Sequence, residues 1–336
     1  MKKILVTGGC GFIGSSFVVD QVHLGNVVVN LDKMTYAANE ANVAAVSGHK
    51  NYNFVKGDIG DQALVSKLLE QFEIDWLVNF AAESHVDNSI KNSEVFITTN
   101  INGTFSLLQA ALKYYQELSG EKKQNFRFLH VSTDEVFGSL KEGDPAFTEE
   151  NPYKPNSPYS ASKAASDHLV RAWNETHKLP TIITNCSNNF GPNQHQEKLI
   201  PTIIRCALGG KDIPIYGNGK NIRDWIFVED HCGGIALALA KGRVGESYCF
   251  GGECEIRNID IAHAICEILD GLEPKSDGAS YKSQIKFVDD RKGHDYRYAI
   301  DNRKVKTELG FLIAKKISDR LLETINFYLT KYNSND

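Results

Sequence analysis

The 336-residue sequence has no CxxC pair among its seven cysteines, no long run of one charge sign and no low-complexity linker. It also has no apolar run approaching the roughly 20 residues that span a bilayer. Each absence removes a class of protein. Without a long apolar run, a membrane-spanning chain is not expected. The apolar part of the opening "MKKILVTGG" stops at Thr7, too short for the core of a secretory signal. Cysteines 10, 186, 206, 232, 249, 254 and 266 are odd in number and lack paired spacing. That argues against a disulfide framework or zinc site and for reduced thiols in a cytoplasmic protein. A net charge of −5 and an isoelectric point of about 6.1 leave no basic footprint for nucleic acid or an anionic membrane.

What is present is a rhythm. "KKILVTG", "NVVVNLD", "YNFVKGD", "DWLVNFA" and "FRFLHVS" are short β-rich apolar runs. Between them lie helical patterns such as "DQALVSKLLEQF" and "TFSLLQAALKYYQEL". Near-continuous apolar strands alternating with helices predict a doubly wound α/β domain with a parallel sheet covered on both faces. "SPYSASKAASDHLVRAWNETH" predicts a further long helix and "LPTIITNCSN" a further strand. After about Asn188 the pattern is more irregular. "EKLIPTIIRCALGG" and "NIDIAHAICEILDG" read as helices, and "DIPIYG", "DWIFVED" and "IKFV" as strands. A mainly Rossmann region over 1–187 and a smaller mixed α/β region over 188–336 are expected, with the chain crossing between them.

"TGGCGFIG" places Gly8, Gly11 and Gly14 between the first strand and the first helix. Glycines there permit a tight turn, close approach of a pyrophosphate and tight helix–strand packing, with the anion on the helix N-terminus. Asp32 ends the next strand, placed for the adenosine ribose hydroxyls and against a 2′-phosphate, so NAD is favoured over NADP. Asp58, ending the third strand, suits either an adenine contact or a helix cap. Phe80, Ala81, Ala82 and Ser84 follow the fourth strand and should line the same crevice. The expected cofactor set also includes Phe12, Ile13, Lys33, Ile59 and Thr99. "YSASK" sets Tyr159 and Lys163 four apart on one helical face. An ammonium beside the phenol is expected to lower its pKa and make it a base, and Lys163 is also suited to the nicotinamide ribose. "STDEVFG" sets Asp134 and Glu135 side by side after a strand. A surface turn would account for them, and so would two carboxyls with separate chemical tasks.

A strand, GGxGxxG, a helix and YxxxK together resemble the extended short-chain dehydrogenase/reductase superfamily. "AAESHVD", "STDEVFG", "PYSASKAASDHLV", "NCSNNFGP", "EKLIP", "IRDWIFVEDH" and "GHDYRYAID" narrow the resemblance to the nucleotide-sugar 4,6-dehydratases, those of dTDP-glucose in particular, over residues 1 to about 309. The resemblance implies oxidation at C4 of the hexose, loss of water across C5 and C6, and hydride return to C6. It implies Tyr159 as the base at O4, Glu135 as the base at C5 and Asp134 as the acid at O6, with Thr133 bonded to O4. On the substrate side it implies Asn188, Lys198, Leu199, Pro214, Ile215, Tyr216, Arg223, Asn258, Arg291, His294 and Tyr298, with Ser84 at the hexose and Asn189 at the nicotinamide end. It implies a homodimer built on the helices around Thr99–Leu118 and Ser157–His177, and a product that feeds deoxysugar synthesis such as rhamnose for polysaccharide. His85 and His231 lack a second ligand at metal spacing, so no metal is expected.

Cys10, Asn88 and "PNQHQEKL" depart from the usual pattern without removing a catalytic group. Three rivals differ in one feature each. A UDP-glucose 4,6-dehydratase shares much of the pattern and differs in the base it reads. A 4-epimerase needs no acid pair, and a non-enzymatic NAD sensor would need no Tyr159.

Overall fold

The five early apolar runs become β1 (Lys3–Thr7), β2 (Val27–Asp32), β3 (Tyr52–Lys56), β4 (Trp76–Asn79) and β5 (Arg127–Thr133) in a computed structural model that describes residues 1–333. Helices α1 (Phe12–His23), α2 (Gln62–Phe72), α3 (Val86–Lys91), α4 (Glu94–Phe96), α5 (Thr104–Glu117), α6 (Gly120–Asn125) and α7 (Pro158–His177) fall between and after them. The chain continues through β6 (Thr181–Cys186), β7 (Asn188–Phe190), α8 (Leu199–Leu208), β8 (Ile213–Tyr216), β9 (Ile222–Phe227) and α9 (Val228–Lys241). It closes with β10 (Ser247–Phe250), β11 (Glu255–Arg257), α10 (Asn258–Leu272), β12 (Ile285–Val288) and α11 (Ile317–Asn333).

Seven strands make one parallel sheet in the order β10-β6-β5-β4-β1-β2-β3. Apolar side chains are buried on both faces, in one cluster with α1 and α9 and another with α2, α5 and α7. This is the doubly wound Rossmann arrangement. The strand order reverses at β1, so a crevice opens at the carboxyl ends of β1 and β4. The last strand, β10, arrives from late in the chain after α9. A Cβ on Gly234 of α9 would lie 2.6 Å from the Phe250 ring of β10, so glycine lets the helix close on that strand.

Two local devices set the side chains of the crevice. The helix expected from Thr99 is α-helical only from Thr104, because Ile97–Gly103 is a π-helical stretch. Such widened turns gather at functional sites. Here the stretch carries Asn100, which accepts from Glu83 N at 2.8 Å and donates to Ser162 Oγ of α7 at 2.8 Å. At the start of α7, Ser157 and Ser160 cap each other's backbone N–H at 3.0 Å, with Pro158 in the first turn. A reciprocal cap of this kind fixes where the helix begins, and so where Tyr159 and Lys163 stand.

The remaining strands form a three-stranded sheet, β11-β9-β7, and a parallel pair, β12-β8. Their core is closed by α8, α10 and α11. Among the described residues no helix is long and apolar enough to cross a membrane.

Candidate active site

The glycine turn runs from the end of β1 into α1. Gly8 has a φ of +71°, and a Cβ there would lie 2.7 Å from Ala81 N. A Cβ on Gly14 would lie 2.3 Å from Gly8 O. Backbone amides at the head of α1 thus stay open to an anion. Asp32 is buried at the end of β2, its two oxygens accepting Cys10 N at 2.9 Å and Met34 N at 2.8 Å. Those bonds aim the carboxylate and leave it lone pairs for hydroxyl donors. Asp58 pairs with Lys33 at 2.7 Å. It is not the helix cap considered for it: Asp61 caps α2, accepting Leu64 N at 3.0 Å. The residues present fit a dinucleotide.

A cavity of about 360 Å³ is lined by this turn and by Phe12, Ile13, Lys33, Ile59, Phe80, Ala81, Ala82, Ser84 and Thr99. It continues to Thr133, Asp134, Glu135, Tyr159 and Lys163. A second cavity of about 420 Å³ is lined by Leu199, Pro214, Tyr216, Arg223, Asn258, Arg291, His294 and Tyr298. The two meet at Glu135, Asn188, Asn189, Gln194 and Lys198. Ile215 is the exception. It is 1% exposed within the core, because side chains alternate along β8 and its neighbours Pro214 and Tyr216 take the outer face.

The acid pair is asymmetric. Asp134 is 2% exposed, and its Oδ1 accepts from Thr133 Oγ1 at 3.3 Å. Its Oδ2 has no hydrogen-bond partner among the described residues. Burial, then Glu135 and Asp224, hold the Asp134 carboxyl well above the usual range, which favours its neutral acid form. Glu135 is also raised by burial, but Lys198 and Arg223 pull it back down. Neighbouring carboxyls held apart in this way can act as acid and base together.

Tyr159 departs from expectation. Its phenol is held well above the ordinary value by burial, then by Glu135, Cys186 and Asp134. Lys163 does not reverse this. Its ammonium is committed to Val131 O at 2.8 Å and faces His130 Nε2 at 3.1 Å.

Around the second cavity, Arg223 lies 4.5 Å over the Tyr298 ring and donates to Asp295 O at 2.9 Å. Tyr298 OH donates to Asp295 Oδ2 at 2.5 Å. Arg291 forms a two-point ion pair with Asp87, at 2.6 and 3.1 Å. Asn188 Oδ1 and Asn258 Oδ1 are buried without a hydrogen-bond partner among the described residues, as polar atoms awaiting a ligand would be. Lys198 donates to Ser84 O at 3.0 Å. His231 is buried, contacts Asn189 Oδ1 at 2.9 Å and is held neutral by burial, with a pKa lowered to about 3. Among the described residues no cluster of His, Cys, Asp or Glu could hold a metal ion.

Sequence reasoning missed Asp87, Asp295 and Cys186 as cavity-lining groups. Asp87 stood within "AAESHVD", but nothing in its spacing announced an arginine some two hundred residues away.

The family model described as GDP-mannose 4,6 dehydratase matches residues 5–324. A dTDP-glucose 4,6-dehydratase of Xanthomonas campestris pv. campestris is 54% identical over 330 residues, covering 98% of this chain and 94% of the relative. One from Salmonella typhimurium is 49% identical over 336 residues, covering 97% and 92%. The solved dTDP-glucose 4,6-dehydratase DesIV of Streptomyces venezuelae, crystallised with NAD, superposes with a TM-score of 0.88 at 43% identity, covering 98% of both chains. The chain belongs to the dTDP-glucose 4,6-dehydratase family of the extended short-chain dehydrogenase/reductases.

Proposed function

We propose that this protein dehydrates dTDP-glucose to dTDP-4-keto-6-deoxyglucose with NAD as a cofactor that is regenerated in each cycle. The observation that carries the reading is the unequal acid pair, with Asp134 shielded in the first cavity and Glu135 facing cations where the two cavities meet. NAD, when bound, supplies a hydride acceptor for C4, a donor for C6 and a positively charged ring in its oxidised form.

Tyr159 accepts the O4 proton during oxidation, and Thr133 orients O4. The protein groups around the phenol keep it protonated, so positive charge beside it is needed to bring its pKa down. Lys163 and the backbone of the glycine turn hold the cofactor against the crevice. The new ketone acidifies C5–H. Glu135 removes that proton, and Asp134 protonates the departing O6 hydroxyl, so water leaves with one proton from the enzyme. Glu135 then returns its proton to C5. Across the cycle Tyr159 gains one proton, from O4, and Asp134 loses one, to the departing water, so one proton must pass from Tyr159 to Asp134, directly or through water, to reset the site.

Arg223, Arg291 and Lys198 supply the cationic side for a diphosphate, whose oxygens match the planar guanidinium fork. In this reading residues 1–187 mainly hold the cofactor and 188–336 mainly the nucleotide sugar, residues 334–336 lying outside those described. Two subunits pair through α5 and α7. On α5 the exposed Phe105 stands edge-on to Trp173 of α7 at 5.7 Å.

The test is to incubate the purified protein with dTDP-glucose and, separately, with UDP-glucose, and to weigh the products. Loss of one water from the dTDP sugar with no net reduced cofactor released is expected. Loss of water from UDP-glucose alone would keep the mechanism and overturn the base. Unchanged mass with both sugars would remove the dehydratase reading.

A further inference from the structure

His130 and Asp167 have no part in the reaction as drawn, yet they stand directly behind Lys163. His130 is 0%, Asp167 1% and Lys163 3% exposed. Tyr159, Lys163 and Asp167 recur every fourth residue of α7 and so share one face of that helix. His130 and Ser132 share one face of β5. The two faces meet in register, His130 on Lys163 and Ser132 on Asp167.

An ammonium has no lone pair, so at the 3.1 Å contact with Lys163 the imidazole Nε2 must accept. The ring hydrogen then belongs on Nδ1, which faces the Asn79 side-chain amide at 3.1 Å. The Asn79 nitrogen stands at that contact, so Nδ1–H calls for the amide turned over, its oxygen on the ring and its nitrogen on Thr7 Oγ1, which here meets Oδ1 at 2.6 Å. With Val131 O taking a second ammonium hydrogen, the third is left for the cavity that Lys163 lines.

Asp167 is pinned beside this contact. Its Oδ2 accepts from Ser132 Oγ at 2.8 Å, Tyr153 OH at 3.0 Å and Asn185 Nδ2 at 3.3 Å. Its Oδ1 has no hydrogen-bond partner among the described residues and lies 3.5 Å from His130 Nε2. A carboxylate held by three donors on one oxygen cannot turn away. Burial brings the Lys163 pKa down to about 8, and Asp167 and then Cys186 of β6 oppose that fall. The titratable groups around Lys163 are therefore His130 on β5, Cys186 on β6, and Tyr159 and Asp167 one turn to either side on α7. Burial holds His130 neutral and holds the Cys186 thiol well above its ordinary value.

We propose that His130 and Asp167 are positioning residues for Lys163: the imidazole aims the ammonium into the cavity beside Tyr159, and the carboxylate keeps it charged. The proposal deepens the dehydratase reading and rests on it.

The test uses the NAD-loaded enzyme carrying His130→Leu, His130→Gln or Asp167→Asn, with thermal melts to confirm folding. His130→Leu is expected to lower kcat about 10- to 100-fold, the scale of a misplaced reacting group, with KM for the nucleotide sugar unchanged. His130→Gln places an amide oxygen near the Nε2 position and is expected to restore most of that loss. Asp167→Asn removes the counter-charge, so the alkaline fall of kcat should move about one pH unit lower. Nitrogen-15 spectra of histidine-labelled protein should show His130 neutral with Nε2 unprotonated.

Equal loss in both His130 variants, with the alkaline limb of Asp167→Asn unmoved, would reduce the pair to a structural role and overturn the proposal. So would a protonated Nε2. If the wild-type enzyme leaves dTDP-glucose unchanged, the activity reading falls by itself. The spectrum then decides for or against the cradle on its own.

Discussion

Asp134→Asn exchanges an acid that can surrender a proton for an amide of the same shape that cannot. In the unfolded chain the carboxyl ionises near its ordinary value of 3.8, whereas in the fold burial and then Glu135 hold it well above that. A raised folded pKa gives stability that is complete below the unfolded value and is lost as pH climbs to the folded one. Above 3.8 the wild type therefore gives up about 1.4 kcal/mol per pH unit until the folded pKa is reached. The asparagine variant has no such proton to lose. Its melting temperature relative to wild type should therefore rise as the pH climbs from about 4 towards the folded pKa. Turnover should move the opposite way. Loss of a general acid costs about 10²–10⁴-fold, or roughly 3–5 kcal/mol of barrier, so water loss from dTDP-glucose should fall by that much. The assay is product mass at matched pH beside melting curves across the same range. Turnover within about threefold of wild type, well short of a general acid's worth, would remove the acid role. A difference from wild type that stays constant as the pH rises from about 4 would refute the argument that burial raises this carboxyl.

Gly14→Ala drives a Cβ to within 2.3 Å of Gly8 O, a backbone atom that cannot swing aside, so a loss of about 1–3 kcal/mol and weaker NAD binding are expected in melts with and without cofactor. Asp32→Asn removes the negative charge at the end of β2. Unit charges about 4 Å apart repel by roughly 1–4 kcal/mol between bulk water and a protein surface, so the preference for NAD over NADP should fall by about tenfold or more in equilibrium binding. Phe105→Glu plants a charge on the outward face of α5 and should give a monomer in sedimentation velocity, where an unchanged dimer would place the subunit contact elsewhere.

The parallel sheet and cofactor turn were legible because their signals are local: apolar runs, glycines at fixed spacing, and an acid at the end of a strand. Where partners are distant, legibility stopped. α9 and β10 were not expected as a helix and a strand. Gly233–Gly234 lowers helical propensity in α9, and "SYCF" is only four residues long. Only the packing of Gly234 on Phe250 shows why the glycine is there. Ile215 was grouped with its neighbours as a substrate contact, although strand alternation turns it inward. The direction of the Tyr159 shift failed for a related reason. The lysine was visible at the right spacing, but His130 and the Val131 carbonyl, which occupy its ammonium, come from another strand. In the acid pair, adjacency was readable from the residues and the unequal roles only from the resemblance, because the cations that pull Glu135 down, Lys198 and Arg223, lie far along the chain.

The seventh strand also has a consequence for synthesis. β6 is complete at Cys186, but its outer partner β10 ends only at Phe250. At roughly 5–20 residues per second, the ribosome needs on the order of ten seconds to make the intervening chain. During that interval β6 has an open row of backbone donors and acceptors, which is a template for pairing with another nascent chain. β6 is a fully buried strand in the finished protein, with Ile182 and Ile183 on opposite faces, so each face of the exposed template also carries an isoleucine. Crowded translation of this message, or a slow stretch of codons between those points, should favour aggregation during synthesis over any later step.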